Sequence, residues 1–149
     1  MSKKKKGKVV FLSSQIGRIA LPFLGPYASS KFAIEGFASC LRYEMKILNK
    51  LKKTNIQVSI IEPGSYATGF NMETGNKMYG WMYKDSYFRG YIDLIRKVEG
   101  KVWELTELDK YNSIIKKYIK VVETKKLRHR YYAPWYQALF IQLLRIFGK

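Results

Sequence analysis

Residues 13–37, SSQIGRIALPFLGPYASSKFAIEGF, decide how this chain is read. Just before them, Lys8 to Leu12 is strand-like: after the lysine comes the continuous apolar run Val9-Val10-Phe11-Leu12, with β-branched and aromatic residues. Ser13 to Pro26 is rich in Ser, Gly and Pro and reads as a loop. Gly25-Pro26 stands where a helix start is expected. The spacing predicts a long helix from Tyr27 to Leu51, with Ala33, Ile34, Phe37, Leu41, Met45 and Leu48 as its apolar positions. Tyr27 and Lys31, four residues apart, share one face of it. Ser14 follows the strand. A hydroxyl at a strand end and a phenol beside an ammonium can make a proton-transfer site. A free phenol titrates near pH ~10, and a nearby cation favours the phenolate; Lys31 is placed to supply it.

Further along, Ile56 to Ile61 (IQVSII) predicts a second strand, stopped by Glu62-Pro63-Gly64. Residues 65–90 read as irregular, rich in Gly, Tyr and Met. Leu108 to Thr124 predicts a helix, residues 130–133 a short third strand, and Gln137 to Phe147 a terminal helix. Strand, long helix, strand is a βαβ unit, so the two strands should be parallel. The fold class expected is α/β, a partial doubly wound parallel sheet of two or three strands with flanking helices. Residues 1–149 are expected to be a single partial domain, with residues 1–7 a basic lead-in.

Composition narrows the function. Of 149 residues, 47% are apolar, which suits a globular chain. Cys40 is the one cysteine, so no internal disulfide is possible; its apolar neighbours suggest a buried packing residue. With a single histidine, His129, no metal site is expected. The net charge of +17 admits nucleic acid, an anionic membrane surface, or a lysine-rich habit on solvated faces. The scatter of the lysines favours the last and disfavours nucleic acid. The start MSKKKKGKVV lacks a secretory h-region, and no apolar run approaches the ~18 residues of a membrane span. A cytoplasmic chain is expected, with peripheral membrane contact through the basic, aromatic C-terminus as a variant; core packing or a subunit contact would serve that segment equally.

Tyr-x3-Lys alone is weak, since twelve tyrosines in a lysine-rich chain give about one or two chance matches. With Ser14 at its distance, the SSK and AIxGF context and the later Pro-Gly, the stretch resembles the catalytic segment of the short-chain dehydrogenase/reductase family. The resemblance implies the C-terminal half of a Rossmann-like fold and an NAD(P)-dependent oxidoreductase that interconverts an alcohol and a ketone or aldehyde. It implies Tyr27 as acid/base, Lys31 as a ribose binder and Ser14 as the substrate orienter. Pro63, Gly64, Tyr66 and Thr68 resemble the family's PGxxxT stretch, which lines the nicotinamide pocket: Thr68 would contact the carboxamide or a phosphate, and the backbone at Tyr66 would fix the ring. NAD and NADP are not distinguishable.

The family's glycine-rich TGxxxGxG turn and NNAG stretch are not found in these residues. The expectation is therefore a fragment whose Met1 is an internal methionine of a longer or interrupted frame. Such a fragment would need complementation by an N-terminal half, or would pair with its copy through the Tyr27–Leu51 helix, as the family does. The segment from Phe70 to Tyr91 occupies the family's substrate-loop position and would suit a bulky apolar substrate. The competing expectation is a non-enzymatic basic module, binding a membrane or nucleic acid, that keeps the motif as ancestry.

Overall fold

The computed structural model describes residues 5–148. They form two compact units: one holds the residues up to Gly64 and those from Asn112 on, the other Ser65–Tyr111.

The first unit is built on three parallel strands, β1 (Lys6–Leu12), β2 (Asn55–Pro63) and β3 (Arg130–Ala133), in the order β1-β2-β3. Val9 pairs with Val58, and Ile61 with Tyr131. β2 is central, and Ile56 and Val58 to Glu62 are all buried, as a parallel strand covered on both faces requires. Helix α1 (Gly25–Lys52) packs on β2 and connects it to β1. Pro26 in its first turn loses no hydrogen bond, because the first amides of a helix have no internal partner. At the other end Lys53 takes the left-handed conformation (φ 47°) that ends helices. Asn49 closes the turn: its amide donates to the Ile56 carbonyl at 2.8 Å, and its Oδ1 accepts from Ile56 N at 2.9 Å and Thr54 Oγ1 at 2.7 Å. The α/β class, the parallel pairing and the third strand agree with expectation.

Several boundaries differ. β1 starts at Lys6, so Lys6 and Gly7 belong to the sheet and not to a lead-in; residues 1–4 lie outside the described residues. The expected loop after β1 contains a turn of 3-10 helix, Gln15–Arg18. Glu62 and Pro63 do not stop β2 but extend it, because β3 pairs with both. Ala33 and Phe37, expected on the packed face of α1, are exposed, and so is Cys40. Ala28, Glu35 and Ala38 are buried instead.

The Ser65–Tyr111 unit is mostly helical. Helix α2 (Phe70–Asp85) lies where irregular chain was expected, and α3 (Ile92–Thr106) follows it. Gly75 is a packing residue here: a Cβ on it would lie 2.6 Å from the Trp103 ring. Across the pair, Arg96 donates to Asn76 at 2.9 Å, Tyr83 OH donates to Asp93 at 3.0 Å, and Tyr79 OH donates to Glu99. Helix α4 (Asn112–Glu123) then returns the chain to the first unit. It is shorter than the expected 108–124 helix, and it buries Ile114 and Val121. Helix α5 (Trp135–Phe147) begins two residues before the expected Gln137.

Candidate active site

All three strands are parallel, so their C-terminal ends lie together, the end at which open α/β sheets take ligands. Just beyond β1, Ser13 N donates to the Ile61 carbonyl at 2.9 Å and carries the pairing one residue past the strand. Ser14 is buried and caps the 3-10 turn, its Oγ accepting from Ile16 N at 3.2 Å. That bond uses an oxygen lone pair and leaves the hydroxyl proton to be donated. Gly17 lets the turn press on α1: a Cβ there would lie 2.8 Å from Ser13 Oγ and 3.2 Å from the Lys31 carbonyl.

Tyr27 and Lys31 stand in the first turns of α1, where the four-residue spacing brings them together. The Lys31 ammonium lies over the Tyr27 ring, 5.6 Å from its centre, and donates to the Leu12 carbonyl at 3.4 Å. A single side chain thus touches both the phenol and the strand end two residues before Ser14.

Pro63 ends β2, and Gly64 N donates to the Ala133 carbonyl at 2.8 Å. The close approach that Gly64 permits is taken up by the chain itself. A Cβ there would lie 2.9 Å from Pro134 Cδ and 3.2 Å from Gln15 Nε2, and would overlap the Gln137 amide. Tyr66 and Thr68 belong to the second unit. Tyr66 is buried, bridges to Leu108, and its ring lies 6.1 Å from that of Tyr111. Thr68 stands at the start of α2, its Oγ1 accepting from Phe70 N at 3.4 Å.

Sequence reasoning missed a buried charge network at this end of the sheet. Glu62 is fully buried; Arg130 Nε lies 2.7 Å from its Oε1, and Arg18 Nη1 lies 3.6 Å from its Oε2. The other end of the Arg130 guanidinium meets Glu35 Oε2 at 2.7 Å. Burial raises the Glu62 pKa, and the Glu35 charge adds to it, against the two arginines. Arg18 also donates to the Gln142 amide oxygen of α5 at 2.5 Å, so the 3-10 turn capped by Ser14 is anchored on β2 and α5. The available signal was an acid inside an apolar strand, IIEPG, and a second one, Glu35, on the inner face of α1.

The family model described as short chain dehydrogenase matches residues 1–78, just over half of the chain. The chain belongs to this family. Among its relatives is the mitochondrial D-beta-hydroxybutyrate dehydrogenase of Mus musculus, 45% identical over 64 residues, 43% of this chain and 17% of that protein. Short-chain dehydrogenase/reductase family 9C member 7 of Mus musculus is 33% identical over 122 residues, 71% of this chain and 37% of that protein. The 3-ketodihydrosphingosine reductase of Bacteroides thetaiotaomicron is 32% identical over 105 residues, 66% of this chain and 35% of that protein. The chain thus spans well under half the length of these relatives. No helix among the described residues is long and apolar enough to cross a membrane.

Proposed function

We propose that this chain carries the proton-transfer part of an NAD- or NADP-dependent oxidoreductase that interconverts an alcohol and a ketone or aldehyde. The observation that carries the reading is the Lys31 ammonium, held between the Tyr27 ring and the Leu12 carbonyl. Ammonium and phenol at the C-terminal ends of parallel strands suit the ribose end of a nicotinamide cofactor. When bound, the nicotinamide supplies or accepts the hydride.

The remaining work falls to this chain's own residues. Lys31 donates to the ribose hydroxyls and keeps Tyr27 beside them. Ser14 donates its free hydroxyl proton to the substrate oxygen and orients it. In the oxidative direction the Tyr27 oxygen takes the alcohol proton as the hydride leaves carbon; in reduction it returns that proton to the carbonyl oxygen. Pro63, at the end of β2, adds a cofactor contact in this reading.

The Ser65–Tyr111 unit offers an open cavity of about 510 Å3 with Met72, Tyr79 and Trp103 in its wall. The apolar part of that wall, beside Asn76, Arg96, Glu104 and Glu107, supports a bulky apolar substrate. So do the names of two relatives, the 3-ketodihydrosphingosine reductase and the 17-beta-hydroxysteroid dehydrogenase type 6 of Mus musculus. Exposed Phe37, Ile47 and Leu51 on α1 support pairing of this helix with a second copy.

The test is turnover of a panel of small and bulky secondary alcohols with NAD and with NADP, by the chain alone and mixed with the N-terminal half of a relative, followed by the ultraviolet absorbance of reduced nicotinamide. Tyr27→Phe is expected to cut turnover by about 10²–10⁴-fold while leaving the circular dichroism spectrum intact. A Tyr27→Phe chain that keeps most of its activity would remove Tyr27 from the proton-transfer role. A chain with neither turnover nor cofactor-dependent stabilisation would leave the non-enzymatic reading in its place.

A further inference from the structure

Helix α5 is attached to the first unit by one face only. Ala138 and Ile141 are buried, Gln142 accepts from Arg18, and Gln137 packs against Gly64. The opposite face is apolar and open. Trp135, Leu139, Phe140, Leu143 and Phe147 recur along it at steps of one, three or four residues, and Trp135, Phe140 and Phe147 are 68%, 60% and 77% exposed. Core packing is therefore not what these side chains do.

Charge identifies the occupant. Helix α5 contains no acidic residue, and Arg145 is exposed in its last turn. From Asn112 on, Glu123 is the one acid against nine lysines and arginines. Helix α3 also exposes an apolar row, Leu94, Val98, Val102 and Leu105, but Asp93, Glu99 and Glu104 interrupt its surroundings with negative charge. An apolar stripe with aromatic residues, on a helix without acids and in a C-terminal segment of strong positive charge, matches the interface of an anionic bilayer, where rings sit at headgroup level and cations are drawn to the lipid phosphates. Thirteen residues at about 1.5 Å each make a rod of roughly 20 Å, too short for a ~30 Å hydrocarbon core. Such a helix lies in the interface and does not span it.

We propose that α5 docks this chain on an anionic lipid surface, with Trp135, Leu139, Phe140, Leu143 and Phe147 inserted among the acyl chains. The inference rests on no part of the oxidoreductase reading, and its test needs neither cofactor nor substrate.

The experiment is co-sedimentation of the full chain with phosphatidylcholine vesicles, with and without about one-third phosphatidylserine. The chain is expected to pellet with the anionic vesicles, less so in high salt. The double variant Leu139→Glu, Phe140→Glu should lower the vesicle-bound fraction by at least about tenfold, whereas Val98→Glu on α3 should bind as the unaltered chain does. If the double variant does not fold, a chain with Trp81→Phe and Trp103→Phe decides. Brominated acyl chains should then quench the fluorescence of Trp135, and absence of quenching overturns the proposal. It is also overturned if the double variant binds normally or if anionic vesicles are not bound. A dimer in solution that Phe140→Glu dissociates would assign the face to a second copy and overturn it too. So would salt-sensitive DNA binding that displaces the vesicles and ignores both glutamates.

Discussion

The Lys31 ammonium reaches two places at once: it lies 5.6 Å from the centre of the Tyr27 ring and donates to the Leu12 carbonyl at 3.4 Å. It joins the start of α1 to the end of β1. Lys31→Met keeps most of the apolar stem of the side chain and removes its charge. Any cofactor-dependent rise in melting temperature is expected to vanish. Stability without cofactor should fall by no more than about 1 kcal/mol, the range of an exposed cation–π contact. Thermal melts with and without NAD and NADP check both. A full cofactor effect in the variant would exclude Lys31 from the binding site.

Arg130 holds two carboxylates apart and together, with Glu62 Oε1 at 2.7 Å from its Nε and Glu35 Oε2 at 2.7 Å from its Nη2. Arg130→Met leaves Glu62 with Arg18 alone, at 3.6 Å. Removing one partner of a buried ion pair costs about 3–5 kcal/mol, and that loss is expected in urea unfolding. Adding Glu35→Gln to Arg130→Met should recover part of it, since one of the two unpaired charges is then gone. A loss below about 1 kcal/mol would show that the network is solvated.

Gly64→Ala should destabilise by about 1–3 kcal/mol, the usual cost of overpacking. Its Cβ would lie 2.9 Å from Pro134 Cδ; the Gln137 amide can swing aside, but the proline ring cannot. Gly17→Ala is expected to behave alike, with a Cβ 3.2 Å from the Lys31 carbonyl. Gly25→Ala is the control, as nothing lies within 4 Å of its Cβ position. Unfolding midpoints for the three variants should therefore separate the first two from the third.

Acid sensitivity should report on His129. Burial first, then the Arg130 and Arg42 charges, push its pKa down to about 4 from 6.5. The unfolded chain thus takes up this proton before the folded one does. The contribution is whole above about pH 6.5 and shrinks as the pH falls toward 4. Glu62, raised by burial and by Glu35, acts with the opposite sign: stability falls as the pH rises from 4.5 through its folded pKa. His129→Gln should flatten the acid limb of stability against pH between 6.5 and 4. An unchanged limb would place its origin in another group.

The βαβ core was legible in the sequence because each of its signals is local. The runs Val9 to Leu12 and Ile56 to Ile61 need no partner to read as strands, and Pro26 marks the start of α1. The Tyr27–Lys31 pairing follows from helical spacing alone. The sequence hid whatever depends on distant partners. Gly75 and Gly80 read as breaks in a stretch that is helical, because Trp103 needs the space beside Gly75. Phe37 reads as core by periodicity, yet it meets the edge strand's Phe11 ring and stays exposed. Gly64 reads as room for a ligand, and the residues that fill that room, Pro134 and Gln137, come seventy positions later. Glu62 reads as the end of a strand and is instead the centre of a charge network with Arg18 and Arg130.

The parallel order of β1, β2 and β3 gives the first unit two poles with different obligations. At one pole, Ser14, Gly64 and Pro134 follow the three strand ends within a few residues, so any insertion there disturbs the reactive groups. At the other, Asn49 closes the turn at Lys53 and Thr54. That turn is the natural place for a fluorophore, an affinity tag or an inserted domain. The same asymmetry separates two kinds of change: an altered length or charge at Lys53 and Thr54 leaves the strand ends that carry the chemistry where they are.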